Sequence, residues 1–149
     1  MHVETLRGTA TALQTEILAR RYYECFNQRE FEVGERYVHP QAIFVYPESQ
    51  RQFIGRAGYR ELCRRWLTAF PDCSVSIVDV RVAGIAVRTT WVLHGTHMGV
   101  LALPGVPPIA PTRIHANVAL RETMSIAHGL IGESVMEFDP DDLRRRLAP

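Results

Sequence analysis

Every second residue from Ile114 to Ile126 is apolar except one: Ile114, Ala116, Val118, Leu120, Glu122, Met124 and Ile126. The intervening set, His115, Asn117, Ala119, Arg121, Thr123 and Ser125, is far more polar. Strict alternation over this length predicts a half-buried β-strand. The apolar set must face the interior, and it carries Glu122 with it. A carboxylate withdrawn from water has its neutral form favoured, so its pKa should rise. Such a group can exchange protons at working pH, the property that general acid/base catalysis needs. The same pattern also suits a structural Glu bonded to a hidden Arg or Tyr, or a register slip that leaves Glu122 in water.

Elsewhere the period changes. From about Thr11 to Gln28 the apolar residues Leu13, Ile17, Leu18, Tyr22, Cys25 and Phe26 recur at steps of three and four, which predicts an amphipathic helix. Residues 1–10 read as a loose arm. A short helix is expected over Phe31 to Val38, stopped by Pro40. A short strand, Ala42 to Tyr46, then ends at Pro47. A third helix is expected near Ala57 to Phe70, with Tyr59, Leu62, Cys63, Trp66 and Phe70 on one face, and Pro71-Asp72 breaks it.

Only strand signals follow. Ser74 to Val82 and Ile85 to Leu101 flank a tight turn at Ala83-Gly84, and Leu103 to Thr112 holds four prolines and must be a loop. The long strand Arg113 to Ile126 is followed by a turn at His128-Gly129 and a last strand near Leu130 to Phe138. Asp139-Pro140 signals a short helix in the tail, residues 139–149. Helices first and an antiparallel meander after them predict one α+β domain over residues 1–149, the helices covering one face of a curved sheet. Within the second of these strands, the set Ile85, Val87, Thr89, Trp91, Leu93, Gly95 and His97 is more apolar than its complement, which carries Arg88, Thr90, His94 and Thr96. Trp91 and His97 should therefore look toward the same interior as Glu122. His94 and His97 face opposite sides of a regular strand, which argues against a metal pair.

Composition narrows the chemistry. A chain of 149 residues, 46% apolar and 22% charged, suits one globular domain. A formal net charge of +1 gives no reason to expect nucleic acid or an anionic membrane as partner. All 17 basic residues are Arg. Without Lys no side-chain amine can form a Schiff base, so imine-forming aldolase and pyridoxal chemistry are excluded. Cys25, Cys63 and Cys73 lack metal-ligand spacing, and the first two read as buried thiols. No secretory leader and no run of membrane length is visible, so the chain reads as cytoplasmic and reduced. No GxSxG elbow, Walker loop, HExxH or dinucleotide fingerprint occurs. Arg144-Arg145-Arg146 sits beside Asp139, Asp141 and Asp142, as suits a solvated helix end.

Three stretches taken together resemble a known family: FIGRAGYRELCRRWLTAFPD, WVLHGTHMGVLALPGVPPIAPT and HGLIGESVMEFD. Phe70-Pro71-Asp72, Gly95-Thr96-His97 with Gly99, Pro111-Thr112, and Gly129-x-Ile131 with Asp139 follow, in order and spacing, the pattern of the SnoaL-like polyketide cyclases. These belong to the nuclear transport factor 2-like superfamily, which also holds ketosteroid isomerases. The resemblance runs from the first helix to Leu143. It implies a cone-shaped α+β fold, a strongly bent antiparallel sheet wrapped around N-terminal helices and open at one end to a ligand pocket. It also implies a homodimer formed through the outer sheet face.

The resemblance places an acidic acid/base or oxyanion-donor position on Glu122, where the family usually has Asp. RYYECFN resembles the isomerase segment with the oxyanion tyrosine, and the match falls on Tyr22. The isomerase base, an Asp before a proline, is here Tyr46 before Pro47. A phenol with an unperturbed pKa near ~10 is a poor base, so steroid-type isomerisation is not expected, and Tyr46 is left as a hydrogen-bond donor to substrate. Pro-Thr-Gly of the cyclases has become Pro111-Thr112-Arg113, with Arg113 expected in water. His97 of the GTH element is either a second proton carrier, an orienter of Glu122, or a structural histidine. The epoxide-hydrolase relatives of the fold need an Asp-Arg-Asp set, and Asp79 is the only Asp within a strand.

The expected activity is acid/base proton transfer next to a carbonyl of a hydrophobic, polyketide-like molecule, closing a ring or isomerising, without metal or nucleotide cofactor. Glu122, Tyr22 and His97 are the candidate catalytic residues. Tyr46, Trp91, Trp66, Phe44, Tyr23, Leu101 and Met124 are the candidate substrate-binding walls, with Trp66 equally suited to plain core. A cycloaddition in the same pocket, or a non-catalytic protein that binds a small molecule there, are the alternatives.

Overall fold

The computed structural model describes the backbone from His2 to Pro149 and the side chains from Ala12 onward. Helix α1 runs His2–Asn27. The first ten residues, expected as a loose arm, are therefore helical from His2, and Met1 lies outside the described residues. Within α1 the buried residues Thr15, Ala19, Tyr22 and Tyr23 recur at helical spacing and turn one face inward.

Helix α2 is a single turn, Phe31–Gly34, continued by a 3-10 turn, Glu35–Tyr37. The helix predicted up to Val38 is thus shorter, because Val38 already opens strand β1, Val38–Val45. Pro40 does not stop a helix. It sits inside β1, where the pairing with a neighbouring strand shifts register between Val38 and Ile43, a place where a missing N–H is tolerated. Strand β2, Phe53–Ile54, leads into helix α3, Gly55–Ala69, which buries Tyr59, Leu62, Cys63 and Trp66.

Strands β3 (Ser74–Ala83), β4 (Ala86–Thr96), β5 (His115–Ala127) and β6 (Leu130–Glu137) follow, and helix α4 (Pro140–Leu147) closes the chain. The Asp139 carboxylate caps α4 by accepting from the Asp141 N–H at 2.9 Å. The tight β3–β4 turn centres on Gly84 at φ +60°, one residue later than predicted.

The sheet order is β2-β1-β6-β5-β4-β3. Strands β3 to β6 form the expected antiparallel meander, but β1 lies parallel to β6. The sheet is therefore mixed, because β1 reaches its partner through all the intervening chain and not through a hairpin. Register shifts in β1–β6, β3–β4 and β5–β6 add bends. Side chains on the inner face of that bent sheet meet α1 and α3 in one core.

Two polar anchors fix α1 over the sheet. The Asn27 side chain donates to the Val75 carbonyl at 2.8 Å and accepts from the Val75 N–H at 2.7 Å. It stands where another strand would stand on the β3 edge. Arg29 donates to the carbonyl of Cys73 at 2.7 Å. Together they set the depth at which Tyr22 and Tyr23 enter the interior.

Candidate active site

Glu122 lies on the inward set of β5, opposite Thr89 of β4 and Met136 of β6. It is only 4% exposed. Tyr23, from α1, donates its hydroxyl to Oε1 of Glu122 at 2.7 Å. The Ser134 hydroxyl, from β6, donates to Oε2. One carboxylate is thus held from both sides by donors that come from two different elements.

Burial dominates its ionisation and raises the pKa of Glu122. The hydrogen bonds from Ser134 and Tyr23, and the nearby indole of Trp91, pull the other way without cancelling it. A cavity of about 70 Å³ adjoins the carboxylate. Tyr22, Tyr46, Trp66, Trp91 and Phe44 are among its walls, together with Tyr59 and Cys63 of α3.

Tyr22 packs edge-on against Tyr23, with ring centres 5.5 Å apart. Its pKa is raised well above the usual phenol value, first by burial and then by the charge of Glu122. Tyr46 accepts the Trp66 indole N–H at 2.8 Å, so its own proton remains to be given. Burial also pushes Tyr46 upward. These phenols keep their protons at any ordinary pH and act as donors, not bases. Burial likewise pushes the Cys63 thiol up to about 12, which keeps it from acting as a nucleophile.

The profile of the SnoaL-like polyketide cyclases matches residues 16–139, which include α1 from Glu16, the whole sheet and every wall just named. The chain belongs to the SnoaL-like polyketide cyclase family.

Solved structures agree on the fold. A proposed SnoaL-like polyketide cyclase from Jannaschia sp. CCS1 superposes with a TM-score of 0.78 at 18% identity, covering 92% of this chain and 93% of its own. IdmH of Streptomyces antibioticus, a proposed polyketide cyclase, gives 0.72 at 23% identity, covering 90% of this chain and 98% of its own. A proposed ketosteroid isomerase from Kribbella flavida DSM 17836 gives 0.63 at 16% identity, covering 87% and 83% respectively. The architecture is nuclear transport factor 2-like. None of the curated proteins matches the sequence.

Within this family member, six of the ten residues singled out from sequence sit with Glu122 around one cavity: Tyr22, Tyr23, Phe44, Tyr46, Trp66 and Trp91. Three do not line it. The His97 ring shares its Nδ1 with the Thr112 hydroxyl at 3.2 Å and lies 5.3 Å from Phe70. It anchors the proline-rich loop and makes no hydrogen bond to Glu122. Leu101 pairs with Ile109 across that same loop. Met124 is fully buried two residues beyond Glu122, where the space beside β5 is filled by core.

Two residues carry more than sequence reasoning assigned. Tyr23, expected only as a wall, is the partner of Glu122, and Ser134 was not singled out. Its signal was its alternation with Met136 on β6, both buried while Glu133 and Glu137 are exposed. Arg113 stands exposed where the family pattern has Gly, and it holds the left-handed conformation, φ +64°, that a glycine would adopt freely. Among the described residues, no three His, Cys, Asp or Glu come together in a way that could hold a metal ion.

Proposed function

We propose that the chain is an acid/base enzyme that moves a proton next to a carbonyl of a hydrophobic, polyketide-like substrate. The observation that carries this reading is the buried, cavity-wall Glu122 with its raised pKa and two hydroxyl donors. In this scheme the Glu122 carboxylate takes a proton from the carbon beside the carbonyl. The C–H bonding pair becomes the enolate, whose oxygen is held by phenol donors of Tyr22 and Tyr46. The enolate carbon then either takes a proton back at another position or attacks a second carbonyl to close a ring. In both branches the carboxylic acid of Glu122 returns the proton, to carbon or to the new alkoxide, so nothing is consumed.

Glu122 suits this exchange because its pKa lies above the ordinary Glu value, closer to working pH. Tyr23 and Ser134 keep the carboxyl in one orientation while it is charged and share its proton when it is not. A cavity of about 70 Å³ is small beside the roughly 300–1,000 Å³ usual for drug-sized ligands. It encloses the reacting end of a larger molecule, and the rest enters only as wall side chains move. That same small volume supports the second reading, a protein that binds a compact molecule without turning it over.

Deuterium uptake by 2-indanone in D2O, followed by NMR, separates the two. Enzyme-dependent exchange at the carbon beside the carbonyl is expected in wild type, falling about 10²–10⁴-fold in Glu122→Gln. Exchange that survives this substitution contradicts the role given to Glu122. Saturable binding with no exchange in wild type favours the binding protein.

A further inference from the structure

The cavity wall carries four tyrosines, Tyr22, Tyr23, Tyr46 and Tyr59. Tyr23 donates its hydroxyl to Glu122, and the Tyr59 hydroxyl packs against Gly34 and the Cys63 thiol. Tyr46 is held the other way round, as an acceptor. The Trp66 indole N–H, from α3, donates to Tyr46 Oη at 2.8 Å, and both side chains are buried.

An indole N–H is a donor only, so in this pair Tyr46 supplies the lone pair and its own proton must point elsewhere. A phenol O–H lies in the plane of its ring and can turn to either side. With Trp66 on one side, the proton is turned to the other. Both rings are also wedged in place. Trp66 stacks with Phe70, ring centres 6.4 Å apart and planes at 25°, and meets Trp91 edge-on at 6.5 Å. Tyr46 stands edge-on to Phe138 at 6.0 Å. Neither ring can swing away without disturbing an aromatic neighbour.

We propose that Trp66 is a positioning residue: its N–H, fixed on Tyr46 Oη, holds the Tyr46 proton aimed into the cavity, where it meets the oxygen of a bound carbonyl compound. This rests on the proposed reading in taking the ligand for a ketone. Trp66 acts through Tyr46. A hydrogen bond received by the phenol oxygen polarises its O–H, so the donor strengthens along the chain from indole to phenol to ligand. As the C–H pair moves onto the ligand oxygen, Tyr46 keeps its proton and its bond shortens with the growing charge. Without the indole N–H the phenol proton is free to turn, and part of that aim is lost.

The bond is read with 2-indanone labelled with ¹³C at its carbonyl, since a donor to the oxygen moves that carbon downfield. Wild type, Trp66→Phe, Tyr46→Phe and the double variant are titrated. The bound carbonyl is expected further downfield in wild type than in Tyr46→Phe, and Trp66→Phe is expected to lose part of that displacement. Once Tyr46 is Phe, adding Trp66→Phe should change nothing more, because the indole has no phenol left to orient. In deuterium exchange, Trp66→Phe should lower kcat about threefold to tenfold with KM within about twofold, as when a bond that strengthens in the transition state is weakened. Replacing Trp66 by 3-benzothienylalanine keeps the bicyclic shape and removes the N–H. It should reproduce Trp66→Phe, which separates the lost bond from lost packing, and it is the deciding variant if Trp66→Phe does not fold.

A wild-type carbonyl position in the benzothienylalanine protein overturns the proposal. So does a Trp66 effect of equal size with and without the Tyr46 hydroxyl, and so does failure of 2-indanone to bind wild type. A displacement that needs both Trp66 and Tyr46, without deuterium uptake in wild type, would leave Trp66 as a positioning residue and remove Glu122 as the base, so the two proposals fail separately.

Discussion

Glu122 concentrates the chemistry because two opposed effects meet on one carboxyl. Burial raises its pKa, while Tyr23 and Ser134 stabilise the charged form and limit the rise. With the folded-state pKa raised, the folded protein binds more protons than the unfolded chain between the two values. Stability therefore falls as pH climbs from the ordinary Glu pKa of about 4.3 to the shifted value, and is flat beyond it. Tyr23→Phe removes a donor to the charged form, so that falling window should extend to higher pH, as thermal melts across pH 4–9 would record at about half-unit steps. Arg113 gives a second residue-scale test. Its left-handed backbone is strained for a side chain bearing a Cβ. Arg113→Gly should raise stability by up to about 1 kcal/mol in denaturant unfolding, the relief being partly offset by the freer unfolded chain.

At the level of elements, the placement of α1 decides whether a site exists at all. Asn27 ties the C-terminal end of that helix to Val75 through two hydrogen bonds. Asn27→Ala leaves the Val75 groups unpaired at a half-buried edge. It should cost about 1–3 kcal/mol and weaken ligand binding, since Tyr22 and Tyr23 ride on the same helix. Elements with a clean period were legible in the sequence. The alternation of β5 put Glu122 inside, and that of β4 put Thr89 and Trp91 on one buried face, as the structure has them, while Ile85, expected with them, is exposed before the strand starts and His97 is buried just past its end. Ser134 escaped because a register shift between Ser125 and Ile126 resets the phase of β6 relative to β5. The role of Tyr23 escaped because Tyr22 and Tyr23 share the buried stripe of α1, and spacing alone cannot say which hydroxyl reaches a strand far away in sequence. Pro40 misled because a proline marks a helix stop and an irregular strand equally well.

For the whole molecule, the bent sheet and the helices across it bring residues from α1, β1, α3, β4, β5 and β6 around one cavity. The family pattern conveyed that architecture, and no local signal conveyed the parallel β1–β6 pairing that completes it. His97 shows the limit of motif transfer: it is buried just past the end of β4, and its partners hold a loop and not the carboxylate. The proposed chemistry depends on a carboxyl group kept from water by the fold as a whole. Its most direct test is a ¹³C NMR titration of the Glu122 side-chain carboxyl in the wild-type protein, with the resonance assigned by its loss in Glu122→Gln. The account predicts a midpoint above the ordinary Glu value of about 4.3. A midpoint at or below that value would contradict it.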